Sequence, residues 1–353
     1  MKISALVNDE EKRIAITPET TKSFTATKFE ILIPKGYGEK IGFSDIEYEN
    51  AGAVLCNRKT KIEADVYLCV KPNFKNLKLP AGSYLVGQLS PFHNEEHLKK
   101  LRKSGVHCCS LERIPRISRA QNVDILSSQA NIAGYCAVIE ALSQYNRVIP
   151  LMMTAAGTIR PARVLIVGAG VAGLQAIATA KRLGAIVSAF DVRKTVKEQV
   201  ESLGATFVEI ENGDECGETS GGYAKEMSED YKKLQAQKLA EAAVKSDIII
   251  TTAQIPNRPA PRLITKEMVD SMPAGAVIVD MAAESGGNCE LTVPNEIFRT
   301  NKVTIMGNLN LAAKVAYDAS NLFAKNLLNF VKLMVKNDAI HTDDEIIKAT
   351  LWE

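Results

Sequence analysis

The sequence predicts an α/β protein of two Rossmann-like domains with parallel sheets and a nucleotide cleft between them, and three observations carry that prediction. Residues 164–193, VLIVGAGVAGLQAIATAKRLGAIVSAFDVR, read in order as strand, glycine turn, helix, second strand and acid. Upstream, to about Leu111, short apolar runs alternate with helical segments, the pattern of a first α/β domain. Downstream, DIIITTA and AVIVDMAA are further continuous apolar runs, suited to strands buried on both faces.

From the N-terminus, KISALV, FEILIP, ADVYLCV, YLVGQL and GVHCCSL are the strand-like runs, with HLKKLRKSG among the helical segments between them. The loop ERIPRISRAQNVD follows, then ILSSQANIAGYCAVIEALSQYN, helical by its apolar spacing and long enough to connect two domains. Pro150 and Pro161 flank the approach to the second domain, which runs from 163 to about 306. After it, LNLAAKVAYDASNLFAKNLLNFVKLMV is a long helix in which Lys314, Asp318 and Lys325 exclude a transmembrane reading. Its apolar surface is expected to pack back on the first domain and make that domain discontinuous. The expected domains are therefore 1–126 with 307–353, and 127–306. Residues 211–237 break the alternation, being polar with four glycines where a crossover belongs. Either a mobile lid beside the cofactor or a plain surface excursion is expected there.

Within the glycine turn each residue type has a physical reason. Gly168 permits the tight turn, Gly170 lets backbone approach a pyrophosphate, and Gly173 lets the helix pack closely on the strand. The helix N-terminus then offers free N–H groups to the anion. Asp191, at the end of the next strand, suits the hydroxyls of the adenosine ribose and would repel a 2′-phosphate, so NAD is expected over NADP. Arg193, two residues on, is of a type that can accommodate a 2′-phosphate, but Asp191 is the better placed of the two.

Composition excludes other classes. The chain has 353 residues, 46% of them hydrophobic, and 43 Lys+Arg against 41 Asp+Glu leave a net charge of +2 with no basic run or arginine-aromatic stripe, so nucleic-acid binding is not expected. Cys56, Cys69, Cys108, Cys109, Cys136, Cys216 and Cys289 include no CxxC pair, and buried thiols fit better than a disulfide framework or zinc knuckle. No apolar window is long enough to span a membrane, and with KISALV directly after Met1 neither a membrane span nor a secretion signal is expected. His93 and His97 stand at i, i+4 in HNEEH, but Asn94 occupies the place a metalloprotease gives to Glu and no third ligand is visible, so no metal is expected. No GxSxG motif or Cys/His pair points to covalent catalysis.

A second polar concentration lies ahead of the connecting helix: Arg116, Arg119, Gln121, Asp124, Ser127 and Ser128. Asp124 and Ser127 also read as helix caps, and on sequence both roles stay open. Together these residues supply donors and acceptors suited to orienting a nicotinamide carboxamide.

The chain resembles the NAD(H)-binding component, domain I, of proton-translocating NAD(P) transhydrogenase, a relative of alanine dehydrogenase. The resemblance covers almost the whole chain and rests on EKRIAITPE, VKP at 70–72, PRISRAQNVDILSSQANIAGY, the glycine-turn unit, SGGYAKEM, TTAQIPNRPAP, VIVDMAAESGGNCELT and DDEIIKAT. It implies that Arg116, Gln121, Asp124 and Ser127 surround the nicotinamide. It implies nucleotide contacts at Gly168, Gly170, Val171, Gly173, Asp191, Val192, Arg193, Gly222, Tyr223, Gln235, Ala253, Gln254 and Glu284, with Tyr223 on a loop that closes over NAD(H). NADP(H) would sit on a partner domain only. A membrane proton-channel domain and a homodimer are also implied, as is a peripheral place on the cytoplasmic side of the bacterial inner membrane or the equivalent matrix side of an organelle.

Chemistry separates the two branches. Oxidising an amine releases a proton with the hydride and needs a base, for which alanine dehydrogenase uses a histidine, whereas transfer between two nicotinamides needs none. Arg13 and Lys71 match the dehydrogenase's substrate-gripping positions, but Ser90 stands in place of its histidine and Glu284 in place of an aspartate. At 307–311 the run GNLNL departs from the tyrosine-threonine-aspartate run of the transhydrogenases. The expected function is hydride transfer between NADH and NADP⁺ held by a partner; the alternatives are an alanine- or saccharopine-type amino-acid dehydrogenase and a non-catalytic NAD-sensing module.

Overall fold

Strands buried on both faces need apolar side chains at successive positions, and in a computed structural model describing residues 1–58, 62–75, 77–209, 229–255, 258–307 and 310–352 the apolar runs do become parallel strands. The first stretch of the chain forms β1 (Lys2–Ala5), α1 (Pro18–Thr25), β2 (Glu30–Pro34), α2 (Asp45–Asn50), β3 (Val54–Cys56), β4 (Val66–Leu68), β5 (Tyr84–Gly87), α3 (Pro91–Lys103) and β6 (His107–Ser110). The strands pair in the order β3-β2-β1-β4-β5-β6, every ladder parallel, with Ile3 opposite Ile31 on one side and Val66 on the other. Capping boxes start α1 at Thr17 and Thr20 and α2 at Ser44 and Glu47, each satisfying backbone N–H groups the helix leaves unpaired.

Next come α4 (Ile125–Gln144), a hairpin of β7 (Met152–Thr154) and β8 (Gly157–Ile159), then β9 (Arg163–Val167), α5 (Val171–Arg182), β10 (Ile186–Phe190), α6 (Lys197–Ser202), β11 (Thr206–Phe207), α7 (Glu229–Val244), β12 (Ile248–Thr251), α8 (Lys266–Ser271), β13 (Ala276–Asp280), β14 (Ile297–Arg299) and β15 (Val303–Met306). The second sheet has the order β11-β10-β9-β12-β13-β15-β14, parallel except for the edge pair β14 and β15. From β9 the chain builds outward first on one side and then on the other, so the carboxyl ends of β9 and β12 border a topological switch point. The chain closes with α9 (Ala316–Met334), a short ribbon of β16 (Val335–Lys336) and β17 (Ala339–Ile340), and α10 (Glu345–Thr350).

Two compact units result, Met1–Gln129 with Ala312–Glu353, and Ala130–Leu311. In unit 1 the pleat sends alternate side chains to opposite cores: Ile31, Ile33, Val66 and Leu68 pack with Phe323, Leu327, Phe330 and Met334 of α9, while Leu32, Tyr67 and Leu85 pack with Leu98 and Leu101 of α3. In unit 2, Leu165, Val167, Phe190, Ile249, Ile278 and Ile305 form one core with Leu239 and Ala243 of α7. Among the described residues no helix is long and apolar enough to cross a membrane.

Two expectations change. Residues 229–237, which polarity assigns to the loop 211–237, belong instead to α7, because EDYKKLQAQ is built from good helix formers. Residues 211–228 lie outside the described set. The long C-terminal helix begins at Ala316, since Leu311–Val315 takes the tighter 3₁₀ form.

Candidate functional site

The glycine turn joins β9 to α5, and its three glycines do different work. Gly168 has φ +102°, and a Cβ there would lie 2.5 Å from Thr252 Oγ1. A Cβ on Gly173 would sit 1.8 Å from the Gly168 carbonyl oxygen, so this position fixes how closely α5 packs on the turn. At Gly170, the N-cap of α5, a Cβ would meet nothing within 4 Å among the described residues, and none of their side chains caps the helix. The first and third glycines are thus required by protein atoms, whereas the second faces open space beside unpaired helix N–H groups, a ready place for an anion.

Asp191, just beyond β10, ties the next strand to this turn. One carboxylate oxygen accepts from the Ala169 N–H at 2.7 Å and from an Arg193 terminal nitrogen at 2.9 Å; the other accepts the Arg193 backbone N–H and Nε–H, each at 2.9 Å. Its side chain is only 6% exposed. Asp191 and Arg193 therefore form one unit, and Val192 between them leans on the core. Val171, the first residue of α5, is exposed.

Behind the turn, Thr252 donates its N–H to Val167 and its hydroxyl to the Gly168 carbonyl at 2.9 Å. Ala253 is bonded through both its N–H and its carbonyl to the Asn288 side chain, and Gln254 donates to the Met281 carbonyl at 3.2 Å. Glu284 is exposed on the 3₁₀ turn Ala283–Ser285, and Gln235 is buried on α7. Gly222, Tyr223 and Met227 lie outside the described residues. Gly168, Gly170, Gly173, Asp191, Arg193 and Ala253 are thus brought to one turn and its supports.

Unit 1 carries the other group. Gln121 is exposed on the 3₁₀ segment Ser118–Val123, and Arg116 is exposed just before it. Asp124 accepts the Ser127 N–H at 3.0 Å and its hydroxyl at 2.5 Å, so this pair does cap the start of α4. Arg119 is drawn off by a paired bond to Asp344 and a contact to Glu345, and the Arg119 hydrogen bonds hold the Asp344 carboxyl below its ordinary range. Ser128 donates to Asn326 of α9 at 2.7 Å.

Arg13 and Lys71 line a common pocket with Asn8, Lys12 and Tyr37. Arg13 is nearly fully buried, with Nε and one terminal nitrogen on the Glu11 carboxylate and the other terminal nitrogen on Gln129 at 2.7 Å. Its guanidinium is already engaged by protein. Ser90, at φ 48°, donates its N–H to Glu112, which also accepts from Leu89 and the Ser110 hydroxyl. His93 and His97 are exposed on α3, His97 stacking on Phe74. The six described cysteines are free, and burial pushes Cys109 up to about 12 and Cys289 up to about 11.

Sequence reasoning missed Asp280 and Asn288, both fully buried. The signal was present as an acid closing the strand AVIVD, followed by paired glycines and an amide.

Residues 4–133 match the family described as "Alanine dehydrogenase/PNT, N-terminal domain", and residues 137–352 match "Alanine dehydrogenase/PNT, C-terminal domain". The chain is 45% identical over 354 residues to the alpha subunit, first segment, of NAD(P) transhydrogenase from Rhodospirillum rubrum, covering 96% of this chain and 92% of that protein. It superposes on the crystal structure of transhydrogenase from Sinorhizobium meliloti with a TM-score of 0.91 at 42% identity, covering 99% of this chain and 98% of that one. An L-alanine dehydrogenase structure shares the fold, with a TM-score of 0.81 at 22% identity over 99% of this chain and 94% of that one.

Proposed function

We propose a function from one premise: the chain belongs to the alanine dehydrogenase/PNT family, as an NAD(P) transhydrogenase component. It binds NAD(H) and passes a hydride between NADH and NADP⁺ carried by a separate NADP(H)-binding domain. The observation that carries this reading is the turn itself, with open space at Gly170 beside unpaired N–H groups and a carboxylate at Asp191 tied to Ala169. A pyrophosphate suits the first and a ribose diol the second. The diol would take over positions on Asp191 now filled by the Arg193 guanidinium, because the two backbone N–H donors are fixed by the fold.

Transfer from one dihydronicotinamide to an oxidised nicotinamide moves a hydride between ring carbons and releases no proton, so the protein's task is to hold the ring and exclude water. Gln121, Arg116, Asp124 and Ser127 are assigned to the nicotinamide, with Asp124 and Ser127 fixed against each other and Gln121 exposed for the incoming domain. Val171, Val192, Gln235, Ala253, Gln254 and Glu284 are assigned to the rest of the nucleotide, and Gly222 and Tyr223 to a closing loop. An amino-acid dehydrogenase is disfavoured because Arg13 is engaged by Glu11 and Gln129, and Ser90 supplies no base near neutral pH.

The chain is assigned to a complex with a membrane proton-channel domain, peripheral on the cytoplasmic side of a bacterial inner membrane or the equivalent matrix side. A homodimer is supported by the hairpin of β7 and β8, where Leu151, Met152, Met153 and Ile159 are all exposed.

The deciding experiment compares NADH-dependent reduction of an NADP⁺ analogue, with a soluble NADP-binding domain of the family added, against pyruvate and ammonium reduction without it. Rapid transfer only in the first arm is expected. Activity in the second arm would establish an amino-acid dehydrogenase, and NADH binding with neither activity a sensing module.

A further inference from the structure

We propose that Asn288 is a positioning residue of the nucleotide site, holding the backbone of Ala253 against the glycine turn. The inference rests on the nucleotide-binding reading above and adds a residue that touches no nucleotide. Asn288 is fully buried between β13 and β14, and its side chain makes three hydrogen bonds: Nδ2 donates to Ala253 O and Pro261 O, both at 2.8 Å, and Oδ1 accepts the Ala253 N–H at 3.0 Å. Both backbone polar groups of Ala253 are therefore bonded to one side chain. The same residue borders the phosphate turn, because a Cβ on Gly168 would lie 3.2 Å from Ala253 N, and Thr252 before it bonds the Gly168 carbonyl.

Asn288 is itself held from behind. Its carbonyl accepts the N–H groups of Leu263 and Ile264, and the next residue, Cys289, donates its N–H to the buried Asp280 carboxylate at 2.9 Å. Asp280 also accepts from Thr251, Ala282 and Thr292, and Gly287, at φ +83°, keeps clear a place where a Cβ would stand 2.8 Å from its oxygen. The chain of support runs Asp280, Asn288, Ala253, Gly168. Only a carboxamide meets this demand, since Ala253 presents a donor and an acceptor side by side and Pro261 a further acceptor. Aspartate has the shape and cannot donate.

The test measures the NADH dissociation constant and the nucleotide-free melting temperature of the whole chain for native protein, Asn288→Asp, Asn288→Ser and Asp247→Asn. Asp247 is buried at the opposite end of β12 and bonded to Arg160, so its variant reports lost stability alone. The two Asn288 variants are expected to weaken NADH by about ten-fold or more, because the unpaired carbonyl must turn away. Asp247→Asn is expected to lower the melting temperature, as the Asn288 variants also do, and to keep the dissociation constant within about two-fold. If Asn288→Asp does not fold, Asn288→Ser, which retains one hydroxyl, is read by the same thresholds. Native-like NADH affinity in the Asn288 variants, or an equal loss in Asp247→Asn, overturns the positioning role while leaving the function intact. A native chain that binds no NADH overturns both.

Discussion

A carboxylate accepts about two hydrogen bonds at each oxygen, and Asp191 has four donors already in place, three of them from Arg193. Its charge is shared with a guanidinium, so the repulsion of a 2′-phosphate is softened at this position. Asp191→Ala is expected to weaken NADH binding by roughly 10- to 100-fold, the worth of a charge-assisted bond, as read by fluorescence titration. Arg193→Ala is expected to widen the preference for NADH over NADPH in the same titration, because the carboxylate then faces the ribose uncompensated; a narrower preference would show that Arg193 holds the ribose itself. Asp247 shows the same pairing used for stability. Burial raises its carboxyl, but the Arg160 guanidinium and the Arg163 N–H outweigh that and hold it below the ordinary range. A depressed folded value means the stabilisation is complete above the unfolded value and is lost as pH falls through the folded one, a window below the ordinary carboxylate range. Asp247→Asn should cost about 1–2 kcal/mol at pH 7, discounted because Arg160 is half exposed, and should flatten that acid limb in thermal melts. The glycine turn and the acid tied to it were legible in sequence because a glycine or an acid at a strand end has few other reasons to be there. Asn288 and Asp280 were not, since a buried amide is recognisable only once its partners, 35 and 27 positions away for Ala253 and Pro261, are folded beside it.

Elements were legible in proportion to their burial. The unit β9, α5, β10 was readable because two strands buried along almost their whole length enclose a helix that starts at a glycine. β3, with its outer residues half exposed, and the hairpin of β7 and β8, exposed throughout, are three-residue strands with no period to read. Polarity misled at the start of α7, where propensity rather than an apolar face marks the helix. Helix contacts also set a limit that composition hides. α4 passes the start of α5 so closely that a Cβ on Gly134 would lie 2.1 Å from the Ala172 carbonyl oxygen. Gly134→Ala is therefore expected to push the helices apart, lowering stability by about 1–3 kcal/mol and weakening NADH because the first turn of α5 shifts. Thermal melts and titration check both, and an unchanged melting temperature would refute the close packing.

At the scale of the whole molecule, the sequence holds one glycine turn and no second nucleotide motif, so the chain alone should bind NADH and barely turn it over. Adding the NADP-binding domain should restore rapid transfer, and Gln121→Asn should slow that step far more than it weakens NADH binding in stopped-flow traces. A slowing only in proportion to lost affinity would make Gln121 a binding residue. The division of the chain has a further outcome during synthesis. Unit 2 is complete once Leu311 has left the ribosome, but the Ile31 and Ile33 side of the first sheet still lacks Phe323, Leu327 and Phe330. The segment made first is thus enclosed last, and while it waits its parallel strands stand open to chaperones and to other nascent chains.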